Sequence, residues 1–186
     1  GFNDFRPGQR EIIDLLMDGR NALAVMPTGA GKSMCYQVPA VLSGRLAVVI
    51  SPLVALMDDQ VAGLRANGVN ASSIHSGMSR EDQVAAWMTV KSGACRLLYL
   101  SPERLMTERM LAAIGKLDVS MFVVDEAHCI SKWGVSFRPE YDQLSRLADL
   151  FPGVAIAAFT ATADRATRED IANKLFKGQG RIIVHG

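Results

Sequence analysis

The sequence predicts an α/β protein: an open, mainly parallel sheet of about seven strands with helices on both faces. Two observations carry this expectation. Seven short, nearly all-apolar runs recur along the 186 residues, and longer segments of helical period separate them. A strand that is apolar on both sides must be buried on both faces, which is the situation of a parallel sheet. Repeated strand–helix units imply right-handed crossovers, and the ligands of such sheets bind beyond the carboxyl ends of the strands.

The strand runs are Asn21–Met26, Leu46–Ile50, Asn70–His75, Arg96–Leu100, Met121–Val124, Val154–Phe159 and Arg181–His185. After the second run, Leu53, Leu56, Met57, Val61 and Leu64 fall on one helical face, and so do Tyr141, Leu144, Ala148 and Phe151 after the fifth. Helix starts are marked by Ser51-Pro52 and Ser101-Pro102, each reading as an N-cap serine before a proline at the first helical position. Ser79 followed by Asp82 reads as a capping-box variant. Gly178-Gln179-Gly180 is expected to be a turn into the last strand. No linker, repeat or low-complexity stretch divides the chain, so residues 1–186 are expected to form one domain.

Composition bounds the function. About half the residues are apolar (49%) and 21% are charged, as in an ordinary soluble domain. The net charge of +1 announces no nucleic-acid binder, so any basic surface must be local. Cys35, Cys95 and Cys129 are odd in number and lack C-x-x-C spacing, which argues against a disulfide framework or a zinc site. A reducing compartment is therefore expected, cytoplasmic by preference and nuclear if the source is eukaryotic. The apolar runs are far too short to span a bilayer, so no membrane partner is expected.

The chemistry begins after the first strand. Met26-Pro27-Thr28-Gly29-Ala30-Gly31-Lys32-Ser33 is a P-loop in which Met26 replaces the usual first glycine. Gly29 and Gly31 let backbone N–H groups curl around phosphates, flanked by Thr28 and Ala30. The next helix aims its positive N-terminal end at the same anion. Lys32 can reach the β- and γ-phosphates of ATP, and the Ser33 hydroxyl can ligate Mg²⁺.

The fifth strand, Met121–Val124, ends in Asp125-Glu126-Ala127-His128. An apolar strand ending in acids beside a P-loop fits the second half of a nucleotide hydrolysis site. Asp125 is expected to hold Mg²⁺, through water, and Glu126 to orient and deprotonate the attacking water. A zinc site at His128-Cys129 is poor because adjacent residues cannot easily chelate one ion. A glycosidase pair is poor because neighbouring acids at a strand end are expected to point different ways.

Asp125-Glu126-Ala127-His128 resembles the DEAH signature of superfamily 2 helicases. Cys129-Ile130-Ser131-Lys132-Trp133-Gly134-Val135-Ser136-Phe137-Arg138-Pro139-Glu140-Tyr141 resembles the aromatic-rich loop of RecQ-family DNA helicases. Phe5-Arg6-Pro7-Gly8-Gln9 is similar to that family's motif before the P-loop. Ser51–Val61, Ser101–Met106 and Thr160-Ala161-Thr162-Ala163 match later motifs in order. The resemblance spans essentially the whole chain. It implies a RecA-like P-loop NTPase domain that binds ATP and Mg²⁺ and acts on DNA, single-stranded and at duplex junctions, with 3′ to 5′ polarity. Gln9 and Arg6 would read adenine with Phe2 stacked on it, and His128 joins the catalytic set. Trp133, Phe137 and Arg138 would contact single-stranded DNA, which suits aromatic and guanidinium planes that stack on any base. Thr160 and Thr162 would link the ATP site to nucleic-acid movement. Val135 and Ser136 depart from the family, which usually has His and Asp there. Asp58 stands where it often has Lys or Gln, and an acid there should weaken phosphate contact.

Nothing in the sequence matches a second motor domain with its arginine finger, nor the zinc-binding and winged-helix regions of RecQ proteins. The chain is therefore expected to be the first motor domain alone and to need a second RecA-like domain as partner. Two competing readings are a nucleotide-gated module that grips nucleic acid without unwinding it, and a small-molecule kinase. The kinase reading leaves the Trp133–Arg138 loop unexplained.

Overall fold

The computed structural model describes residues 5, 7–27, 31–161 and 164–184. Its centre is a seven-stranded, all-parallel sheet: β1 (Ala22–Val25), β2 (Leu46–Ile50), β3 (Ala71–Ile74), β4 (Leu97–Leu100), β5 (Val119–Val124), β6 (Ala155–Thr160) and β7 (Arg181–Val184). The strand order is β3-β4-β2-β5-β6-β1-β7. Every expected strand is present, with ends shifted by two residues or fewer. His185 lies outside the described residues.

The central strands, nearly all apolar, conceal a period of two. In β2, Leu46, Val48 and Ile50 enter one core and Ala47 and Val49 the other. One core is covered by α1 (Pro7–Met17), α2 (Lys32–Ser43) and α3 (Val54–Ala66), through residues such as Ile12, Tyr36 and Met57. The other is covered by α4 (Arg80–Lys91), α5 (Pro102–Leu105), α6 (Glu108–Ile114), α7 (Pro139–Asp142), α8 (Leu147–Leu150) and α9 (Arg165–Phe176). Helices on both faces are what strands apolar on both sides require.

Three local expectations are corrected. Ser51 does not cap α3. Its N–H donates to Leu100 C=O at 3.1 Å, so the chain stays in the sheet ladder and the helix starts later, after an extended Leu53 that supplies no side-chain cap. Ser101, in the same Ser-Pro pair, does cap, accepting from the Arg104 N–H at 3.3 Å. Ser79 accepts from the Asp82 N–H at 3.1 Å, as expected. The α3 stripe is narrower than expected: Met57, Val61 and Leu64 are buried, whereas Leu53 and Leu56 are exposed. Leu53 precedes the helix, and Leu56 is about 100° around it from Met57. The segment carrying Tyr141, Leu144, Ala148 and Phe151 is not one helix but α7, a 3₁₀ turn at Gln143–Arg146 and α8. Tyr141 and Leu144 are nevertheless fully buried, with Ala148 and Phe151 packed beside them. No helix among the described residues is long and apolar enough to cross a membrane.

Candidate functional site

The site forms where the chain leaves β1 and β5. After β1 it turns through the glycine-rich segment into α2, whose first two residues are Lys32 and Ser33. Residues 28–30 lie outside the described set, as do Phe2, Arg6 and Thr162. Gly31 has φ +123°, a conformation that favours glycine. A Cβ there would sit 2.1 Å from the Gln9 Nε2 atom, so any side chain would also displace the Gln9 amide. Gln9, from α1, is thus buried against the cradle.

At the end of β5, the Asp125 N–H continues the ladder by donating to Ile50 C=O at 2.9 Å. The next residue, Glu126, is in the left-handed region at φ 52°, ψ 44°. For a residue with a Cβ that conformation costs about 1–2 kcal/mol. It is held by the Asp125 Oδ1 atom, which accepts the Glu126 N–H at 2.9 Å. The consequence corrects the expectation that the two acids diverge. Lys32 Nζ lies 2.9 Å from Asp125 Oδ1 and 3.6 Å from Glu126 Oε1. The left-handed turn breaks the strand alternation and brings both carboxylates onto one ammonium.

Two carboxylates around one lysine leave a net negative, oxygen-rich group. That donor set, with the Ser33 hydroxyl at the start of α2, has the hard-ligand chemistry Mg²⁺ takes. His128, in the 3₁₀ turn Ala127–Ile130, links this group to the end of β6. Its Nε2 is 3.5 Å from Glu126 Oε2 and its Nδ1 is 2.8 Å from the Thr160 hydroxyl. The tautomer carrying its proton on Nε2 satisfies both contacts, with Thr160 donating to Nδ1.

Sequence reading put Lys32, Asp125, Glu126 and His128 in one nucleotide site and linked Thr160 to it; the structure brings the five side chains into one connected cluster. It missed Tyr141, whose buried hydroxyl donates to Asp125 C=O at 2.9 Å. Burial pushes that phenol well above its ordinary pKa, with the neighbouring Cys129, Asp125 and Glu126 adding to the rise, so it remains a donor. Tyr141 was legible as an apolar-face residue and as the end of the aromatic-rich stretch, and no local pattern distinguishes a packing tyrosine from a donating one.

The expected DNA residues form a separate group. Residues 132–138 run as turns, with Trp133 74% exposed and Val135 fully exposed. Arg138 is exposed too, and its guanidinium lies 3.8 Å from Glu140. Phe137 is half-buried, with Lys132 Nζ 5.7 Å and Lys174 Nζ 5.9 Å from its ring centroid. Asp58 is occupied elsewhere: its carboxylate accepts from Ser73 Oγ and faces His75 Nε2, both at 3.0 Å.

A family model for DEAD/DEAH box helicases matches residues 6–171. The chain belongs to that family. It is 48% identical over 175 residues to the ATP-dependent DNA helicase RecQ of Pasteurella multocida, covering 94% of this chain and 28% of that protein. It is 42% identical over 188 residues to RecQ of Bacillus subtilis, covering all of this chain and 32% of the relative. The chain therefore spans about a third or less of the length of these relatives. Among solved structures, that of the DUF1998 helicase MrfA bound to DNA matches with a TM-score of 0.77 at 19% identity, over 100% of this chain and 28% of that one. A hypothetical ATP-dependent RNA helicase from Sulfolobus tokodaii matches with a TM-score of 0.72 at 20% identity, over 98% and 54%. At that identity the structures speak for the RecA-like fold alone.

Proposed function

We propose that this helicase-family domain is the first of two motor domains of an ATP-dependent DNA helicase of the RecQ type. The observation that carries the reading is the convergence of Lys32, Asp125 and Glu126 within 3.6 Å, at the strand ends where nucleotides bind in such sheets. Lys32 would hold the β- and γ-phosphates, with backbone N–H groups of the glycine-rich turn and the start of α2 around them. Asp125 and Ser33 would hold Mg²⁺, whose charge, when bound, offsets that of the phosphates. Glu126 would take the proton of the attacking water, and His128 would hold that carboxylate against Thr160. Gln9, with Arg6 and Phe2, would read adenine.

Turnover at full rate would need a second motor domain, because an arginine finger adds about 10³–10⁵-fold. DNA would stack on Trp133 and Phe137, with Arg138 beside them, and the linked domains would move 3′ to 5′. The test is Glu126→Gln in the full-length protein. ATP binding should persist while steady-state turnover falls by about 10²–10⁴-fold, since the amide cannot take a proton. Hydrolysis at the parent rate would remove Glu126 from the role of base.

A further inference from the structure

The exposed 132–138 loop rests on α9, and two side chains one helical turn apart on that helix hold it. Asp170 accepts from the hydroxyl of the fully buried Ser131 at 2.8 Å, and the Ser131 Oγ atom accepts the Trp133 N–H at 3.2 Å. Lys174 Nζ donates to Ile130 C=O and to Asp142 Oδ1, both at 3.0 Å, and lies 3.9 Å from Asp170. The same ammonium reaches the Phe137 ring. One side chain, 24% exposed, thus joins the loop's root, the end of α7 and its own helix. The far end of the loop closes separately, through the Arg138 N–H on Cys129 C=O at 2.9 Å.

We propose that Lys174 is the positioning residue of this loop and that the domain's response to DNA is set through it. The proposal rests on the reading that the loop meets single-stranded DNA. Of the four groups Lys174 meets, the two carboxylates and the ring face favour a cation, and the Ile130 carbonyl needs a donor. A side chain of similar length with no donor would leave the Ile130 carbonyl and the Asp142 carboxylate without the Lys174 ammonium, and Asp170 without its nearby positive charge. The tether also has a direction. Helix α9 packs against the 3₁₀ turn that carries His128, the residue bonded to Thr160, so loop and hydrolysis cluster share a support that a shift of the loop would disturb.

The test uses Lys174→Met and Lys174→Arg in the full-length protein, with two measurements. Amide hydrogen exchange without DNA should show Trp133 and Arg138 exchanging about tenfold faster or more in Lys174→Met, with β5 and β6 unchanged and Lys174→Arg restoring the parent rates. The ratio of ATP turnover with an oligo-dT single strand to turnover without it should fall about tenfold in Lys174→Met, stacking on a displaced loop being lost, and recover in Lys174→Arg. Unchanged exchange at Trp133 and Arg138 overturns the proposal. So does faster exchange throughout β5 and β6, which would make Lys174 a general scaffold residue. Faster loop exchange in a protein whose parent form ignores oligo-dT supports the tether and counts instead against DNA as the loop's ligand.

Discussion

Two regions sit a few residues apart on one segment and are built in opposite ways. At Asp125–His128 the backbone is still tied to the sheet, and every acid has a partner within 3.6 Å. At Trp133–Arg138 the chain makes turns, its largest side chain is exposed, and few hydrogen bonds hold it. The first arrangement suits chemistry, which needs charges fixed before reaction. The second suits sensing, which needs a segment able to take two arrangements at small cost. The buried, hydrogen-bonded arrangement that starts at the end of β5 runs through Ser131 and gives way to exposed turns at Lys132.

The largest expected effect breaks the rigid side. Lys32→Ala in the full-length protein should reduce ATP turnover by at least about 10²–10³-fold, because bound phosphates would lose the ammonium proposed to hold them. A radiometric phosphate-release assay checks it, and turnover above a tenth of the parent rate would move the phosphate site elsewhere. Next comes the soft side. Trp133→Ala should weaken single-stranded DNA binding by about 1–3 kcal/mol per lost stacked base, and should lower DNA-stimulated turnover much more than the rate without DNA. Fluorescence-anisotropy titration and paired ATPase assays separate the two. Equal losses in both rates would make the loop a support of the ATP site and erase the contrast.

A smaller effect tests the join between the regions. Tyr141→Phe removes the donor on Asp125 C=O and should cost about 1 kcal/mol, lowering the thermal midpoint by about 2–4 °C. An unchanged midpoint would make Tyr141 a packing residue only.

The smallest effect concerns pH. Burial pushes the Cys35 thiol from its ordinary 9.0 up to about 11, and raises Cys95 and Cys129 as well. A raised folded value means stability fully present below about pH 9 and lost progressively as pH rises through the folded value. At the acid end, Asp164 is held below its ordinary value by the Thr167 N–H it accepts at 2.8 Å. Its contribution to the start of α9 is present above the ordinary carboxylate range and fades as pH falls through the folded value. Thermal midpoints across pH should therefore plateau in between. A midpoint rising above pH 9 would contradict the buried thiols.

Much of this was legible in the chain. Mostly apolar runs named the seven strands, as burial on both faces favours, although β3 buries Ser72 and Ser73 and the edge strand β7 exposes Arg181, Ile182 and Val184. Gly29 and Gly31 before Lys32 and the acids after Val124 nominated two halves of a site, because phosphate and metal chemistry restricts residue type and local spacing; the structure brings Lys32 and those acids together. Ser51 and Ser101 show where local reading stops: two Ser-Pro pairs are identical as text, yet Ser51 remains paired to Leu100 and only Ser101 caps a helix.

By itself, then, the sequence nominated residues for the chemistry and showed which runs are strands and that helices cover both faces, since these depend on neighbours in the chain. Tertiary structure alone decided that Glu126 turns left-handed so that both acids meet Lys32, that His128 finds Thr160, and that Lys174 holds a loop from another element. Those outcomes depend on strand order and on which backbone groups the sheet has already satisfied, and no local pattern of residues encodes either.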